Sequence, residues 1–194
     1  MALPASSSRR CRGGSGVFPS GDWPWQGQGG EVWRVGDTSE FSLPVRLFLK
    51  AYPWRRIDPV PWKPLGRPLR ECRVALGSSA GFSLPGQVPF DDAFRGGDPS
   101  FREVPGDADV RLFQENHRSE SFDHAGIQAD PNLGFPLDSL RALQGEGLIG
   151  EVAPRHLSFM GSITAPGRLT KETAPAAVRV WVEDQVDLAL FVPV

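Results

Sequence analysis

A polar segment near the middle of the chain carries the residues best suited to chemistry. His117, Asp123 and His124 lie within one short stretch that follows a predicted strand. An imidazole changes its charge near neutral pH and a carboxylate accepts protons, so this group suits substrate binding or proton transfer. The alternative is a solvated loop whose polar groups bond its own backbone. We predict no metal here, because the spacing fixes no third ligand.

Small residues after an apolar run form a second candidate site. The run Arg73–Ser78 predicts a buried strand, and Ser78, Ser79 and Gly81 lie in or beside the tight turn that follows it. Backbone N–H groups in such a turn can approach the carboxylate of a small ligand. Ordinary turn bonding explains the same residues equally well, and the glycine spacing does not match a dinucleotide-binding turn.

Two further candidates and two cysteines complete the reactive residue types. His156 and Gly161 belong to a predicted strand over residues 156–163, and with His124 they are assigned to substrate binding. Cys11 and Cys72 share no metal-binding or redox spacing, and Cys72 is expected to be a structural, unreactive thiol. Unpaired cysteines are typical of a cytoplasmic protein, so we predict that location.

Apolar periodicity predicts the elements that would position these residues. Helices are predicted over residues 40–51 and 137–144 and after an N-cap at Thr173; strands over 73–78, 109–115, 156–163 and 188–192; and a long polar loop over 82–106. Strands that alternate with helices predict an α/β domain with an open, mostly parallel sheet of the flavodoxin or Rossmann kind.

The end of the predicted sheet is unusual. Leu188–Val192 is apolar without interruption, which predicts a strand buried on both faces. A loop and a covering helix would normally follow such a strand, so we expect the sheet to be incomplete at its C-terminal end. Ligands of open α/β sheets bind beyond the carboxyl ends of the strands, which makes that edge the expected site.

Composition divides the chain into three regions. Residues 1–30 lack any period and are expected to be a disordered tail or the product of a start placed too far upstream. Residues 31–70 hold the first helix and a proline-rich arm, whose Trp54 and Trp62 are expected to pack on the core. Residues 71–194 hold the α/β domain.

The bulk charge and hydropathy exclude two kinds of partner. The formal net charge is −2 and basic residues are spread among acidic ones, so we expect no nucleic-acid partner. No apolar run approaches the roughly 20 residues that span a bilayer, so we expect no membrane partner.

Five groups of segments together resemble the selenoprotein B family of the glycine, sarcosine, betaine and D-proline reductases. They are Glu71-Cys-Arg-Val-Ala-Leu-Gly-Ser-Ser-Ala-Gly81; Pro89-Phe-Asp91 with Gly97-Asp-Pro-Ser-Phe-Arg-Glu-Val-Pro-Gly106; His117, Phe122-Asp123 and Asp130-Pro-Asn-Leu-Gly-Phe-Pro-Leu-Asp138; Glu146-Gly-Leu-Ile-Gly150 with Ala153-Pro-Arg-His156 and Ser158-Phe-Met-Gly161; and Asp187-Leu-Ala-Leu-Phe-Val-Pro-Val194. No single segment is specific, and the resemblance depends on their order and spacing.

The resemblance implies a subunit of a selenol- or thiol-dependent reductase that acts on an amino acid or a related amine. In the family, the strand similar to residues 187–194 runs into a selenocysteine or cysteine, followed by a further cysteine. The reactive residue is therefore expected immediately after Val194, where a UGA codon would be read as a stop. The resemblance also implies a partner reductase subunit, which carries a pyruvoyl group; no other cofactor is expected.

Two alternatives stay open from the residues alone. The chain could be a non-catalytic α/β module that binds a small molecule or a partner protein. It could also be a truncated product without activity of its own.

Overall fold

The computed structural model describes residues 41–52, 58–60, 63–117, 119 and 122–194 and divides the chain into two units, Met1–Val60 and Pro61–Val194. The predicted tail over residues 1–30 lies outside the described residues, as do Trp54 and Trp62 of the proline-rich arm.

The first unit contributes one described helix, α1 (Leu43–Ala51), which lies within the predicted range 40–51. A proline occupies its first turn, where the missing N–H breaks no helical hydrogen bond. At the other end the N–H of Tyr52 donates to the carbonyl oxygen of Phe48 at 2.8 Å. The helix prediction is confirmed.

The second unit is an α/β domain. Its strands are β1 (Arg73–Ser78), β2 (Phe82–Ser83), β3 (Phe101–Pro105), β4 (Gln114–Glu115), β5 (Glu151–Val152), β6 (Arg155–Phe159) and β7 (Leu188–Val192). Its helices are α2 (His124–Ala129), α3 (Leu137–Gly145) and α4 (Ala174–Glu183). None of the helices in the described part of the chain has the length and apolar character needed to cross a bilayer.

The main sheet is open and mostly parallel, which confirms the predicted fold class. β5, β6 and β7 all run parallel to β1, while β3 runs antiparallel to β6 at one edge. β7 lies on one side of β1, and β5 and β6 lie on the other side. β2 and β4 form a separate antiparallel pair.

Helices cover both faces of the sheet, because alternate residues of β1 face opposite sides. Leu76 belongs to a hydrophobic cluster with Ile127 of α2 and Leu140 of α3. Ala75 belongs to a second cluster with Ala177 and other residues of α4. Burial of both faces explains why the β1 segment reads as a continuous apolar run.

One side of β1 is bonded by two successive strands with a gap between them. β5 pairs with the start of β1, and β6 pairs with its last two residues. Between these pairings the N–H of Leu76 donates to Nδ1 of His156 at 2.9 Å. An unpaired buried N–H would cost about 1–3 kcal/mol, so this imidazole closes the gap in the ladder.

The start of β6 is held by an ion-pair cluster around Arg155. Its guanidinium donates to both carboxylate oxygens of Asp184, at 2.9 and 2.8 Å, just after α4. It also donates to Glu103 of β3 at 3.3 Å. Charge-assisted bonds of this forked kind are stronger than neutral ones, so Arg155 fixes the start of β6 to β3 and to the end of α4.

Two of the predicted segments are wrong. Part of the predicted loop over residues 82–106 is β3, whose side chains are largely half-exposed at the sheet edge and so form no apolar run. The predicted strand over residues 109–115 contains a 3₁₀ turn, Val110–Leu112, and only its last two residues belong to β4. Asp109 caps that turn by accepting the N–H of Arg111 at 3.0 Å, a bond that competes with an extended strand.

β7 is a strand as predicted, but its predicted burial on both faces is wrong. Within the described residues it pairs only with β1. Leu190 is 47% exposed and Phe191 is 62% exposed. An apolar run shows that the residues of a strand are hydrophobic, but it does not show how many strands or helices pack against that strand.

The two remaining helix predictions are confirmed with one change. α3 buries Leu137 and Leu140. α4 follows Thr173 as predicted, but the side chain of Thr173 makes no capping hydrogen bond, because a π-helical turn over Leu169–Thr173 leads directly into the helix. Of the apolar residues in α4, Ala177 and Trp181 are buried, whereas Val178 and Val182 are exposed.

Candidate functional site

The carboxyl ends of β1, β6 and β7 meet at one edge of the sheet, because these strands are parallel. Directly after β1, the N–H of Ser79 donates to the carbonyl oxygen of Val192 at 3.2 Å. The Oγ of Ser79 accepts the N–H of Val194 at 2.9 Å. We call this region, residues 78–81, 159–161 and 192–194, the carboxyl edge.

Ser78 and Gly81 use their polar groups to build the turn at this edge. Ser78 Oγ donates to the carbonyl oxygen of Gly134 at 2.5 Å and accepts the N–H of Ala80 at 3.1 Å. Gly81 has φ +70°, and its N–H donates to Phe159 at 2.9 Å. These contacts match the alternative of ordinary turn bonding.

His117 lies against this turn, with its backbone close to Gly81. A methyl group placed on Gly81 would lie 3.3 Å from the backbone nitrogen of His117. The glycine, in its left-handed conformation, therefore permits the backbone of His117 to approach closely. The imidazole stacks on the ring of Phe122, with centroids 4.1 Å apart. Only 7% of the His117 surface is exposed, so this histidine is part of the packed interior of the edge.

The hydrogen bonds of His117 determine its tautomer. The N–H of Ser119 donates to Nδ1 at 3.3 Å, so Nδ1 presents its lone pair and the neutral ring carries its proton on Nε2. Nε2 is buried and has no hydrogen-bond partner among the described residues. Burial lowers the pKa of His117, which keeps the ring neutral at pH 7. His117 is therefore a buried N–H donor.

Gly161 provides the space into which this donor points. A methyl group at Gly161 would collide with Nε2 of His117 and would lie 3.0 Å from the carbonyl oxygen of Ser79. The structure thus brings together three of the predicted site residues, His117, Ser79 and Gly161, at the carboxyl edge.

Glu115 organises the segment that carries His117, and sequence reasoning did not identify it. One carboxylate oxygen accepts the backbone N–H of His117, and the other lies 2.8 Å from Nδ1 of His124. The side chain of Glu115 is only 11% exposed. An acidic residue two positions before a candidate histidine was the only available signal.

Asp123 and His124 have structural partners. The carboxylate of Asp123 is exposed and caps α2 by accepting the N–H of Gly126 at 3.0 Å. His124 is bonded through both ring nitrogens, to Glu115 and to the carbonyl oxygen of Ser119 at 3.0 Å. The hydrogen bond to Glu115 is the main cause that raises the pKa of His124.

His156 lies inside the sheet, where its Nδ1 is used by Leu76. It is fully buried, and its Nε2 has no partner among the described residues. Burial is the main cause that lowers the pKa of His156 to about 4. These contacts assign His156 to the sheet ladder and do not bring it to the turn that holds His117.

Cys72 lies at the opposite side from the carboxyl edge, where the strands begin. It borders a cleft of about 440 Å³ that is lined mostly by charged residues such as Arg67 and Asp187. The thiol is buried, and burial together with the nearby Asp187 carboxylate raises its pKa. A raised pKa disfavours the nucleophilic thiolate. In the described part of the chain, no three His, Cys, Asp or Glu side chains cluster as metal ligands would.

The comparisons with known proteins give one family. The sequence model of the family described as glycine/sarcosine/betaine reductase selenoprotein B matches residues 46–192. No solved structure matches the chain.

Two curated relatives are similar to the chain. The D-proline reductase subunit gamma of Acetoanaerobium sticklandii is 36% identical over 136 residues, which cover 70% of this chain and 54% of the relative. The sarcosine reductase complex component B subunit beta of Peptoclostridium acidaminophilum is 30% identical over 161 residues, which cover 81% of this chain and 36% of the relative. The chain therefore spans about half, or less, of these relatives.

We predict that His156 makes stability depend on pH between about 6.5 and 4. Because its folded pKa of about 4 lies below the unfolded value of about 6.5, the unfolded state binds an extra proton in this window. Stability is therefore lost as the pH falls, by about 2 kcal/mol at pH 5. Urea unfolding at pH 7 and pH 5 measures this loss.

The matched variant is His156→Asn, whose amide oxygen can still accept the N–H of Leu76 but does not titrate. Its loss of stability between pH 7 and pH 5 should be smaller by about the same 2 kcal/mol. His117 titrates in the same direction in both proteins, so the difference isolates His156. An unchanged pH dependence in the variant would contradict the prediction.

We also predict strong coupling between Gly161 and His117. Gly161→Ala should destabilise the domain by about 1–3 kcal/mol through overpacking against the imidazole. In a His117→Ala background the same change should cost at least about 1 kcal/mol less, since the colliding ring is gone. Gly145→Ala serves as the control, because a methyl group there meets nothing within 4 Å. Equal losses in both backgrounds would show that the ring does not occupy this space.

Proposed function

The chain belongs to the glycine/sarcosine/betaine reductase selenoprotein B family, and on that premise we propose that it is part of a selenol- or thiol-dependent reductase subunit. The substrate class is an amino acid or a related amine. The observation that carries the proposal is the buried Nε2–H donor of His117 at the carboxyl edge. Ligands of open α/β sheets bind at that edge, and a buried donor gains most from an acceptor on a ligand.

We assign the reactive selenocysteine or cysteine to the same edge, immediately after Val194 in the complete protein. Support comes from β7, whose carboxyl end is bonded to Ser79 through Val192 and Val194. A chalcogen nucleophile reacts as its anion, which a nearby N–H donor stabilises. His117 would supply that donor to the anion or to the carboxylate of the substrate.

A partner reductase subunit is part of the proposal. The two curated relatives are named as a subunit gamma and as a component B subunit beta, names that denote parts of larger assemblies. We assign the pyruvoyl group to such a partner and no further cofactor to this chain. A cytoplasmic location stays a prediction from the cysteine pattern.

One observation favours the second candidate, a binding module without catalysis. The only cysteine within the described residues is Cys72, which lies at the amino ends of the strands and is buried. The described residues thus place a donor, and no thiol, at the carboxyl edge. This chain alone would then hold a small carboxylate without reducing it.

The gene sequence beyond the codon for Val194 separates the two candidates. The reductase proposal predicts a UGA or cysteine codon there, followed in frame by a second cysteine codon and an amphipathic helix; with UGA, a selenocysteine-insertion hairpin is also expected. A UAA or UAG codon followed by unpatterned sequence would refute the reductase and leave the binding module.

Ligand binding tests the role of His117 in either candidate. Calorimetric titration with glycine, sarcosine, betaine and D-proline should find a ligand whose affinity falls about tenfold or more in His117→Phe. That loss follows from a hydrogen bond to a charged group, worth about 1.5–3 kcal/mol. Phenylalanine keeps the stacking on Phe122, and Asp123→Asn is the control, since asparagine also caps a helix. Equal affinities in the native chain and His117→Phe would exclude His117 as the ligand donor.

A further inference from the structure

His117 and three residues near it, Glu115, Ser119 and His124, form a closed ring of hydrogen bonds, which we call the histidine ring network. The backbone N–H of His117 donates to Glu115, and the N–H of Ser119 donates to Nδ1 of His117 at 3.3 Å. The carbonyl oxygen of Ser119 lies 3.0 Å from Nε2 of His124. Nδ1 of His124 lies 2.8 Å from the second oxygen of Glu115, which closes the ring.

Both ring nitrogens of His124 face groups that can only accept. A carboxylate and a backbone carbonyl have no proton to donate, so each bond requires a proton on His124. A neutral imidazole carries one N–H and can make only one of the two bonds. The complete network therefore requires His124 as an imidazolium cation.

The network connects this charge to the tautomer of His117. When His124 loses one proton, a lone pair faces either the Glu115 carboxylate or the Ser119 carbonyl oxygen, and that contact becomes repulsive. Movement of Ser119 away from that contact would also withdraw its N–H from Nδ1 of His117, because its N–H and carbonyl groups flank the same Cα. Without that bond, nothing in the network holds the His117 proton on Nε2.

We propose that His124 is a positioning residue for His117. While His124 is protonated, it holds His117 in the Nε2–H tautomer. When His124 loses its proton, His117 can adopt either tautomer. The inference rests on the proposed function only for what His117 does to a ligand. The chemistry of the network itself is independent of any ligand.

The groups that face His124 favour its protonated form. Glu115 of β4 contacts it directly, and Asp123 lies beside it at the start of α2. His117 is the third titratable neighbour among the described residues and stays neutral through burial. The ring of Phe122, whose centroid lies 5.2 Å from that of His124, carries no charge. Among the described residues, two carboxylates and no permanent cation act on His124, so it should lose its proton above the ordinary histidine value of about 6.5.

Nuclear magnetic resonance of the whole chain with ¹⁵N-labelled histidine tests this proposal, because imidazole nitrogen shifts report charge and tautomer. We expect His124 to titrate above pH 6.5 and His117 to show the Nε2–H tautomer while His124 is charged. His117 should move toward a mixture of tautomers with the midpoint of His124. A His124 midpoint at or below 6.5, or a His117 tautomer that ignores the titration, would overturn the proposal.

Two variants separate positioning from general structure. Glu115→Gln should lower the His124 midpoint, because it removes the main cause of the raised pKa, and should release the His117 tautomer at pH 7. Asp123→Asn is the matched control: it removes a carboxylate outside the network and keeps the cap on Gly126, so the His117 tautomer should not change. A mixture of His117 tautomers in Asp123→Asn, or an unchanged Nε2–H tautomer of His117 in Glu115→Gln, would count against the network.

His124→Gln carries the same test if Glu115→Gln fails to fold, because the His124 side chain is 39% exposed and can be replaced with little loss of packing. It should release the His117 tautomer at every pH, and a tautomer retained in this variant refutes the positioning role. These readouts need no ligand. Absence of binding would therefore count against the proposed function without affecting the network.

Discussion

The domain depends on how one backbone N–H in the middle of its central strand is satisfied. Leu76 lies in β1, which is buried on both faces, and its N–H points toward the gap between β5 and β6. Nδ1 of His156 fills the place of a carbonyl oxygen. An acceptor must be unprotonated, so the sheet is complete only while His156 is neutral. The same ring leaves its Nε2 without a partner among the described residues, so satisfying the N–H of Leu76 leaves the Nε2–H of His156 unsatisfied.

The position of the candidate site follows from this contact. It fixes β6 beside the second half of β1, and Arg155 holds the start of β6 to α4 and β3. Gly161, two residues after the end of β6, therefore lies at the carboxyl edge against Nε2 of His117. A shift of one residue along β6 would place Met160 or Ser162 against the ring. The register of β6 in the sheet therefore determines which residue lies against the Nε2–H donor of His117.

Sequence patterns predicted the elements whose burial is regular. β1 is a continuous apolar run buried on both faces, and α3 buries the apolar residues of one face, whereas β3 was missed because an edge strand with half-exposed side chains has no apolar pattern. At the candidate site, His117 could be selected by residue type. Glu115 could not, because a carboxylate near a histidine gains its role only from two contacts made across a folded turn. The gap filled by His156 was equally hidden, since the pattern of side chains does not show which backbone groups lack a partner.

Three histidines show how one residue type acquires different charges. Burial lowers the pKa of His117 and His156, while the hydrogen bond to Glu115 raises that of His124. The positive charge thus lies on His124, which is linked to the donor His117 through Glu115 and Ser119 and lies outside the packed edge. A cationic His117 would have to be desolvated there, at a cost of several kcal/mol, and its second proton on Nδ1 would face the N–H of Ser119. A neutral donor oriented by a charged neighbour avoids both penalties. This arrangement lets a buried edge present an N–H group to an anion without holding a buried cation when no anion is bound.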